Sequence, residues 1–254
     1  MVMRKKTKKW VIVTGANGGI GRAIVICFAQ NGYSVIATDI TEFKVEAPNV
    51  VNMQIDLEQI VLDENYAKDF KARVNRITDG AGITSLVNNA AIQVLGSVQT
   101  VSRSDWFKTM NINVSAAFFM TQLFLDSLTN NRGAVVNISS IHAMQTKRSF
   151  VAYATSKGAL SSLTRNMAVD VGDAVRINAI EPAAVSTDML KAGFEGKEEQ
   201  FRLLEAFHPI ARIAAPEEVA QLALFLCSAQ SSFIHGTCLN ATGGIHGSLK
   251  DPDY

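Results

Sequence analysis

The sequence predicts an α/β protein with a doubly wound, seven-stranded parallel sheet and helices on both faces. Short apolar runs of strand length alternate along the chain with amphipathic segments of helix length, a pattern typical of successive βαβ units. Hydrophobic residues make up 48% of the chain, which suits strands that are buried on both faces. No Pro/Gly/Ser-rich linker interrupts the 254 residues, so we expect one domain over residues 1–254.

Each predicted element follows from the length and composition of its segment. The predicted strands are Trp10–Thr14, Tyr33–Thr38, Val50–Ile55, Ser85–Asn88, Ala134–Ile138, Val175–Ile180 and Thr237–Asn240. The predicted helices are Ile20–Gln30, Val61–Thr78, Val114–Leu128, Ala154–Val171 and Pro216–Ser228. The second and third strands are separated by about ten residues that include Pro48, too few for a crossover helix. We therefore expect a shortened connection there, a loop or a single turn.

Charge, cysteine content and the length of apolar runs exclude several classes of function. Lys and Arg total 24 against 23 Asp and Glu, so no extended field favours nucleic acid or a membrane surface. No apolar run is long enough to span a bilayer. The three cysteines lack metal-ligand spacing, which predicts no metal site and a reducing, cytoplasmic location. Residues 1–9 are rich in basic side chains and are interpreted as a flexible tail rather than a nucleic-acid-binding arm.

The loop after the first predicted strand is rich in glycine and leads directly into a helix. Exposed N–H groups at a helix N-terminus bind phosphate, and glycines let a pyrophosphate approach the backbone. The spacing is GxxxGxG, which differs from the GxGxxG of the general dinucleotide fingerprint. An ordinary glycine-rich turn is therefore the alternative to a dinucleotide site. The predicted cofactor contacts in this loop are Gly15, Asn17, Gly18, Gly19, Ile20 and Gly21.

Asp39 lies at the end of the second predicted strand, about twenty residues after the glycine-rich loop. A carboxylate at this position accepts hydrogen bonds from the adenosine ribose hydroxyls and repels a 2′-phosphate. The loop itself and the residues just after Asp39 contain no Lys or Arg that would attract such a phosphate. We therefore predict NAD as the cofactor, with NADP less favoured, and include Ile40 in the site.

Tyr153 and Lys157 are four residues apart on a predicted helix, so their side chains share one face. Free tyrosine titrates near pH 10, and lowering its pKa by about three units requires roughly 4 kcal/mol of preference for the phenolate. An adjacent ammonium and a cationic nicotinamide ring can supply that preference. Ser139-Ser140 and Asn88–Ala91 follow two predicted strands, at the carboxyl edge where ligands of such sheets bind.

From Trp10 to about Gly244, the chain resembles the short-chain dehydrogenase/reductase family. The motifs that carry the resemblance are Thr14–Gly21, Asp56-Leu57, Asn88–Ala91, Asn113, Ser140, Tyr153–Lys157, Asn178, Pro182 and Thr187. The resemblance implies a Rossmann fold and an enzyme that interconverts secondary alcohols and ketones with a nicotinamide cofactor. The hydride chemistry belongs to the cofactor, and the protein supplies proton transfer, position and charge.

The resemblance implies a role for each matching residue. Tyr153 would be the acid/base on the substrate oxygen, Lys157 would lower its pKa and hold the nicotinamide ribose, and Ser140 would hydrogen-bond the same oxygen. Asn113, which with Asn111 opens the predicted helix, would anchor a water that links Lys157 to solvent. The implied cofactor contacts outside the glycine-rich loop are Asp39, Ile40, Asp56, Leu57, Asn89, Ala90, Ala91, Tyr153, Lys157, Pro182, Ala183, Val185 and Thr187.

Two residues depart from the family pattern. Ala91 replaces the glycine of the usual Asn-Asn-Ala-Gly, and Ala183 replaces the glycine that usually follows Pro182. Alanine would be strained at either position if that position required a positive φ. We expect the two methyl groups to narrow the site slightly without abolishing activity. The alternative is a degenerate family member that binds NAD without turnover.

Polar side chains near the expected site favour a small polar substrate such as a hydroxy acid, a polyol or a sugar. The predicted substrate contacts, under a lid formed by residues 188–210, are Gln93, Ser140, His142, Gln145, Tyr153 and Ala184. Gln93 and His142 are similar to the pocket of D-3-hydroxybutyrate dehydrogenases. Phe150 stands where those enzymes use a lysine for the carboxylate, so the likeness is partial, with Lys147 or Arg148 as the alternative cation.

Two other functions and an assembly complete the expectations. One alternative is an NADPH-dependent 3-oxoacyl carrier-protein reductase, but the helix Val114–Leu128 carries no Lys or Arg for an acidic partner. The other is an NAD-binding regulatory or structural protein, against which the retained Ser140, Tyr153 and Lys157 argue. The helices Val114–Leu128 and Ala154–Val171 are apolar on more than one face. Family members bury such helices in a four-helix dimer interface, and we expect a homotetramer.

Overall fold

The computed structural model describes residues 8–248, and over that range its sheet has the strand order β3-β2-β1-β4-β5-β6-β7, all parallel. The strands are β1 (Trp10–Thr14), β2 (Ser34–Asp39), β3 (Val50–Gln54), β4 (Ser85–Asn88), β5 (Ala134–Ile138), β6 (Arg176–Pro182) and β7 (Cys238–Ala241). The predicted doubly wound α/β fold is confirmed. Each predicted strand is present, with small shifts at some ends.

Helices cover both faces of the sheet. They are α1 (Gly19–Gln30), α2 (Leu57–Leu62), α3 (Glu64–Ile77), α4 (Arg103–Met110), α5 (Ala116–Asn130), α6 (Val151–Val171), α7 (Asp188–Gly193), α8 (Glu198–Ala206) and α9 (Pro216–Cys227). Shorter turns include a π-helical turn at Asn111–Ser115 and 3₁₀ turns at Ile141–Ala143, Ala229–Ser231 and Ile245–Gly247.

Alternate side chains of β1 enter two separate hydrophobic cores. Val11 and Val13 pack in the core that α1 and α9 cover, whereas Trp10 and Ile12 pack in the core on the opposite face, with α3, α5 and α6. Strand residues alternate between faces, so a central strand buried on both sides must be apolar throughout. This explains why β1 reads as an uninterrupted apolar run.

The strand order reverses at β1, because the chain moves outward to β2 and β3 and then returns to β4 on the other side. Connections that leave in opposite directions open a crevice at the carboxyl ends of the two central strands. The glycine-rich loop follows β1 and the Asn88–Ala91 segment follows β4, so both predicted motifs flank this crevice.

The connection between β2 and β3 contains no helix, as predicted for a crossover with so few residues. Val45 is buried within it, and its N–H donates to Asn52 Oδ1 at 3.0 Å while Asn52 Nδ2 donates to the Val45 carbonyl at 3.3 Å. The Asn52 side chain of β3 therefore provides hydrogen-bond partners for the backbone of this loop, which has no helix to do so.

Two predictions of local structure are wrong. The predicted helix Val61–Thr78 is interrupted at Asp63, whose carboxylate accepts from the N–H groups of Asn65 and Tyr66 and thereby caps α3. Asn111 and Asn113 do not open a helix, because they lie in the π-helical turn that joins α4 to α5. The α4 helix was not predicted, nor were the two helices α7 and α8 within the segment expected to act as a lid.

The basic N-terminal segment is described only from Lys8 onward, so most of the predicted tail lies outside the described residues. Lys8 Nζ lies 5.5 Å from the centre of the Trp10 ring, and Lys9 Nζ lies 5.6 Å from that of Tyr33. Both aromatic residues are buried. The two lysines thus cover the amino-terminal edge of the first strands, away from the crevice.

Candidate active site

The glycine-rich loop turns sharply between β1 and α1. Gly15 has φ +64°, and a Cβ there would lie 2.8 Å from the Ala90 Cα. A Cβ on Gly19 would lie 2.9 Å from Thr187 Cγ2, so only glycine lets the start of α1 approach that threonine. Gly18 has φ −72° and caps α1, and a Cβ there would meet only the Gly15 carbonyl at 3.5 Å. Backbone N–H groups at the helix start therefore face a narrow cradle bordered by the Thr187 side chain, the kind of helix N-terminus that binds phosphate groups.

Asn89 fixes this loop to the end of β4. Its Nδ2 donates to the carbonyls of Thr14 at 2.9 Å and Gly15 at 3.0 Å. In return, Thr14 Oγ1 accepts from the backbone N–H groups of Asn89 and Ala90, at 3.0 and 3.1 Å. The two loops that flank the crevice are thus held as one unit. Ala91 has no positive φ, so the alanine in place of the family's glycine causes no backbone strain.

Asp39 ends β2 beside the glycine-rich loop. Its Oδ2 accepts from the N–H of Asn17 at 3.0 Å, and its Oδ1 accepts from the N–H and hydroxyl of Thr41. Arg22, from the first turns of α1, donates to Asn17 Oδ1 at 3.0 Å and to the Lys44 carbonyl at 3.4 Å. The sequence argument missed Arg22 because its guanidinium reaches this site from the helix. Ile40 is exposed and Ile20 packs against the core.

Two further segments predicted to contact the cofactor lie at the same edge of the sheet. Asp56 caps α2 by accepting from the Glu58 N–H at 2.8 Å, and Leu57 begins that helix. On the other side, Pro182 ends β6, and Thr187 caps α7 by accepting from the Leu190 N–H. Between them lie Ala183, Ala184 and the buried Val185. Ala183 has no positive φ, so it too causes no strain.

Ser140, Tyr153 and Lys157 are brought together by the end of β5 and the first turns of α6. Ser140 lies beside Tyr153, and its side chain lowers the pKa of the phenol. Lys157 is 2% exposed, its Nζ donates to the Ile138 carbonyl at 2.8 Å, and it lies 5.6 Å from the centre of the Tyr153 ring. The three side chains predicted to carry out catalysis are therefore neighbours in a largely buried site.

Burial shifts both titratable groups of this set toward their neutral forms. It raises the pKa of Tyr153 above its ordinary value, an effect that the Ser140 side chain partly offsets. It also lowers the pKa of Lys157 from 10.5 to about 7, because the ammonium loses its hydration. The chain alone therefore does not make Tyr153 a strong base, and additional positive charge is needed to favour the phenolate.

Asn113 occupies the π-helical turn and is 2% exposed. Its Oδ1 accepts from the Ile92 N–H at 2.8 Å, and its Nδ2 donates to the Ile92 carbonyl at 2.9 Å and to Ser156 Oγ at 2.9 Å. Single π turns inside helices are frequent at functional sites. Here the turn brings Asn113 between the segment after β4 and the helix that carries Tyr153 and Lys157.

The predicted substrate residues divide into two groups. His142 stacks on Phe150 with ring centres 4.5 Å apart and meets Tyr153 edge-on at 5.7 Å. Burial, and then the charge of Lys147, lower the pKa of His142 to about 4, so its ring is neutral near pH 7. Gln145, by contrast, donates to the His246 carbonyl at 2.7 Å, a contact across 101 residues that no sequence pattern indicated. Gln93 is exposed on the loop after β4.

A cavity of about 550 Å³ lies on the α9 side of the sheet, and Tyr153 is not among its lining residues. Ala183 and Ala184 line it together with His208 and the carboxyl end of β7. Of the predicted substrate residues, Ala184 lines this cavity, whereas Ser140 and Tyr153 do not. Among residues 8–248, no group of three His, Cys, Asp or Glu side chains could hold a metal ion. Within the same range, no helix has the length and hydropathy to cross a membrane.

Comparison with known proteins identifies relatives over nearly the whole chain. The family model described as enoyl-(acyl carrier protein) reductase matches residues 15–246. A 3-oxoacyl-(acyl-carrier-protein) reductase from Thermotoga maritima is 30% identical over 243 residues, which cover 93% of this chain and 97% of that protein.

Two solved structures share the fold. The ligand-free aldohexose dehydrogenase of Thermoplasma acidophilum has a TM-score of 0.89 and 31% identity, covering 97% of this chain and 98% of that one. An NAD(P)-dependent gluconate 5-dehydrogenase of Beutenbergia cavernae, described as putative and with NADP bound at low occupancy, has a TM-score of 0.85 and 30% identity. The alignment covers 96% of this chain and 98% of that one. With these relatives and this fold, the chain belongs to the short-chain dehydrogenase/reductase family, enzymes that act on alcohol and ketone substrates.

Proposed function

We propose that this enzyme is an NAD-dependent dehydrogenase that interconverts a secondary alcohol and a ketone, with Tyr153 as the acid/base. The observation that carries the proposal is the position of Tyr153 beside the buried Lys157, whose Nζ lies 5.6 Å from the centre of the Tyr153 ring, next to Ser140 at the end of β5. A group that transfers a proton, a polar partner for the substrate oxygen and a potential cation thus lie at the carboxyl edge of the sheet, where ligands of such sheets bind.

The chain's own residues handle the proton. In the oxidation direction, Tyr153 Oη takes the proton of the substrate hydroxyl while Ser140 Oγ holds the same oxygen. A bound oxidised nicotinamide would supply the hydride acceptor for the carbon that bears this oxygen, together with a positive charge that favours the phenolate. Because burial raises the pKa of Tyr153 in the chain alone, we expect Tyr153 to act as a base only in the holoenzyme. There, Lys157 and the bound ring both favour the phenolate.

The preference for NAD rests on Asp39. Its carboxylate is held at the end of β2 by three protein donors, so a negative charge is fixed where a 2′-phosphate would lie. The Arg22 guanidinium, bonded to Asn17, is the observation that favours NADP. Because Asp39 and Arg22 have opposite effects on a 2′-phosphate, cofactor affinities test the proposal directly. Wild-type protein should bind NAD more tightly than NADP. Asp39→Asn should improve NADP binding about tenfold, equivalent to about 1.4 kcal/mol, and Arg22→Lys should leave NAD binding unchanged.

The substrate we propose is a small polar alcohol such as a hydroxy acid, polyol or sugar. The neutral His142 ring beside Tyr153 offers a hydrogen-bonding nitrogen that does not change charge near neutral pH. The ammonium of Lys147, 4.8 Å from the centre of the Phe150 ring, is the nearby cation for a substrate carboxylate. Residues 188–210, which include α7 and α8, form the proposed lid.

A second candidate is the reduction of 3-oxoacyl groups on a carrier protein, favoured by the relative from Thermotoga maritima. Against it, α5 carries no Lys or Arg to contact an acidic partner. A nicotinamide absorbance assay over aldoses, polyols, hydroxy acids and 3-oxoacyl thioesters, with both cofactors, separates the two. We expect turnover of a small polar alcohol with NAD. Turnover confined to 3-oxoacyl thioesters and NADPH would establish the second candidate instead.

We further propose a cytoplasmic homotetramer. A tetramer of dihedral symmetry requires two different self-complementary surfaces. One is the α5 and α6 face, where Phe118 is 37% and Val169 is 85% exposed, and the other is the edge strand β7, preceded by the fully exposed Phe233. The cysteines at positions 27, 227 and 238 are free, as in a reducing compartment. Native mass spectrometry at micromolar concentration tests the assembly, and a monomeric mass would contradict it.

A further inference from the structure

Ser156 lies on α6 between Tyr153 and Lys157 in the sequence and is completely buried. Its hydroxyl donates to the Tyr153 carbonyl at 2.7 Å, one turn back along the same helix. The same oxygen accepts from Asn113 Nδ2 at 2.9 Å. Ser156 therefore forms a bridge between the helix that carries the acid/base and the π-helical turn.

The bridge continues beyond Asn113. The Asn113 amide pairs with both the N–H and the carbonyl of Ile92, at 2.8 and 2.9 Å. Ile92 directly follows the segment whose Asn89 side chain holds the glycine-rich loop. The two Nδ2 protons of Asn113 thus have two partners, the Ile92 carbonyl and Ser156 Oγ, and its amide orientation is fixed by both.

We propose that Ser156 is a positioning residue for the dehydrogenase reaction, tying the first turn of α6 through Asn113 to the segment beside the cofactor cradle. The inference rests on the proposed function, because it matters only if Tyr153 and Lys157 act on a bound substrate and cofactor. Ser156 belongs to the motif Tyr153–Lys157, but the sequence assigns it no role, since its two partners lie three and 43 residues away and only the fold brings the second one near.

Loss of the hydroxyl has a defined consequence. The Tyr153 carbonyl keeps its place in the helix, but one N–H of the buried Asn113 amide loses its acceptor. The amide keeps its two bonds to Ile92, but its bond to Ser156, which ties the π turn to α6, is lost. Because a displacement of about 1 Å at a reacting group costs up to about 100-fold in rate, we expect Ser156→Ala to lower kcat by about 10- to 100-fold.

Thr164 provides a matched control on the same helix. It is also completely buried, its Oγ1 donates to the Leu160 carbonyl at 2.9 Å, and it accepts from Asn137 Nδ2 at 2.9 Å. Thr164→Val therefore removes a hydroxyl with the same two kinds of partner, an asparagine amide and a carbonyl of its own helix. Its partners do not include Asn113 or the first turn of α6, so a loss of general packing would affect both variants alike.

The experiment compares the two variants in the full-length protein by kcat, its pH profile and NAD affinity from fluorescence titration. For Ser156→Ala we expect kcat to fall by about 10- to 100-fold and the acidic limb of the kcat pH profile to shift to higher pH by about half a unit or more. We expect its NAD affinity to stay within about threefold of wild type. For Thr164→Val we expect kcat within about threefold and an unshifted profile. Equal kcat and pH profiles for the two variants would overturn the proposal.

A third variant keeps the test decisive if Ser156→Ala does not fold. Ser156→Cys has nearly the same shape but a weaker donor and acceptor, so we expect a fall in kcat of about 3- to 10-fold. Full activity of that variant would overturn the proposal. Failure of the proposed function is recognised separately: wild-type turnover would then be absent or would persist in Tyr153→Phe, whatever the Ser156 variants do.

Discussion

Lys157, which we propose acts beside Tyr153 in catalysis, should destabilise the cofactor-free protein. Burial lowers its pKa from 10.5 to about 7. At about 1.4 kcal/mol per pKa unit, keeping the ammonium in the fold at pH 7 or below costs at most about 5 kcal/mol. Replacement by Met, which has a similar shape and no charge, removes that cost. It also leaves the Ile138 carbonyl without its donor, which costs about 1–3 kcal/mol.

The net expectation is that the free energy of unfolding of Lys157→Met exceeds that of wild type by about 2–4 kcal/mol at pH 6. The sign of the pH dependence follows from proton binding. Between pH 7 and 10.5 the unfolded wild-type chain binds more protons at Lys157 than the folded chain does, so wild-type stability rises with pH. The advantage of the variant should therefore shrink above pH 7, by at most about 1.4 kcal/mol per pH unit.

Urea unfolding followed by tryptophan fluorescence at pH 6, 7, 8 and 9 measures this difference. Both proteins are compared without cofactor and at one concentration, because ligand binding and assembly also stabilise the fold. The raised pKa of Tyr153 affects stability only above about pH 10 and lies outside this window. A stability difference that is constant from pH 6 to 9, or a variant less stable than wild type at pH 6, would refute the reasoning.

Two other substitutions test the cofactor cradle and the assembly. Gly19→Ala places a Cβ 2.9 Å from Thr187 Cγ2 and should weaken NAD binding about tenfold, as measured by fluorescence titration. The Cβ of Gly18→Ala would be in ordinary contact with its neighbours, so the NAD affinity of that variant should stay within about twofold of wild type. Equal effects of the two substitutions would contradict the cradle geometry. Phe233→Asp replaces a fully exposed apolar side chain beside β7 with a charged one. Sedimentation should show that this variant forms dimers in place of tetramers, without a lower Tm of the protomer fold. An unchanged tetramer would show that β7 is not an interface.

The central strands were predictable because their signal is local. The observed bounds of β1, β4 and β5 match the predicted Trp10–Thr14, Ser85–Asn88 and Ala134–Ile138, since each is a short apolar run that ends at polar or glycine residues. The prediction of one continuous helix over Val61–Thr78 failed at Asp63, for a reason that is also local but that hydrophobic periodicity does not detect. The apolar pattern continues through this residue, but its carboxylate caps α3 and ends the continuity.

The parts of the site that could not be predicted depend on contacts that are distant in sequence. The π-helical turn exists where Asn113 reaches Ile92 and Ser156, at separations of 21 and 43 residues. Arg22 of α1 donates to the Lys44 carbonyl, 22 residues away, and Gln145 bonds to the segment after β7. Residue types and spacing therefore suffice to propose which side chains carry the chemistry, whereas the hydrogen bonds that hold them in place follow only from the fold.

The most direct test of the account is the rate of hydride transfer in Tyr153→Phe, measured in a single turnover at saturating NAD with the best alcohol found. Tyr33→Phe is the matched control, because Tyr33 is a buried tyrosine packed edge-on against Phe28, on the α1 side of the sheet. We predict a rate at least about 100-fold below wild type for Tyr153→Phe, with NAD affinity within about threefold, and a normal rate for Tyr33→Phe. A wild-type rate in Tyr153→Phe, or a loss explained entirely by weaker NAD binding, would contradict the assignment of Tyr153 as the acid/base.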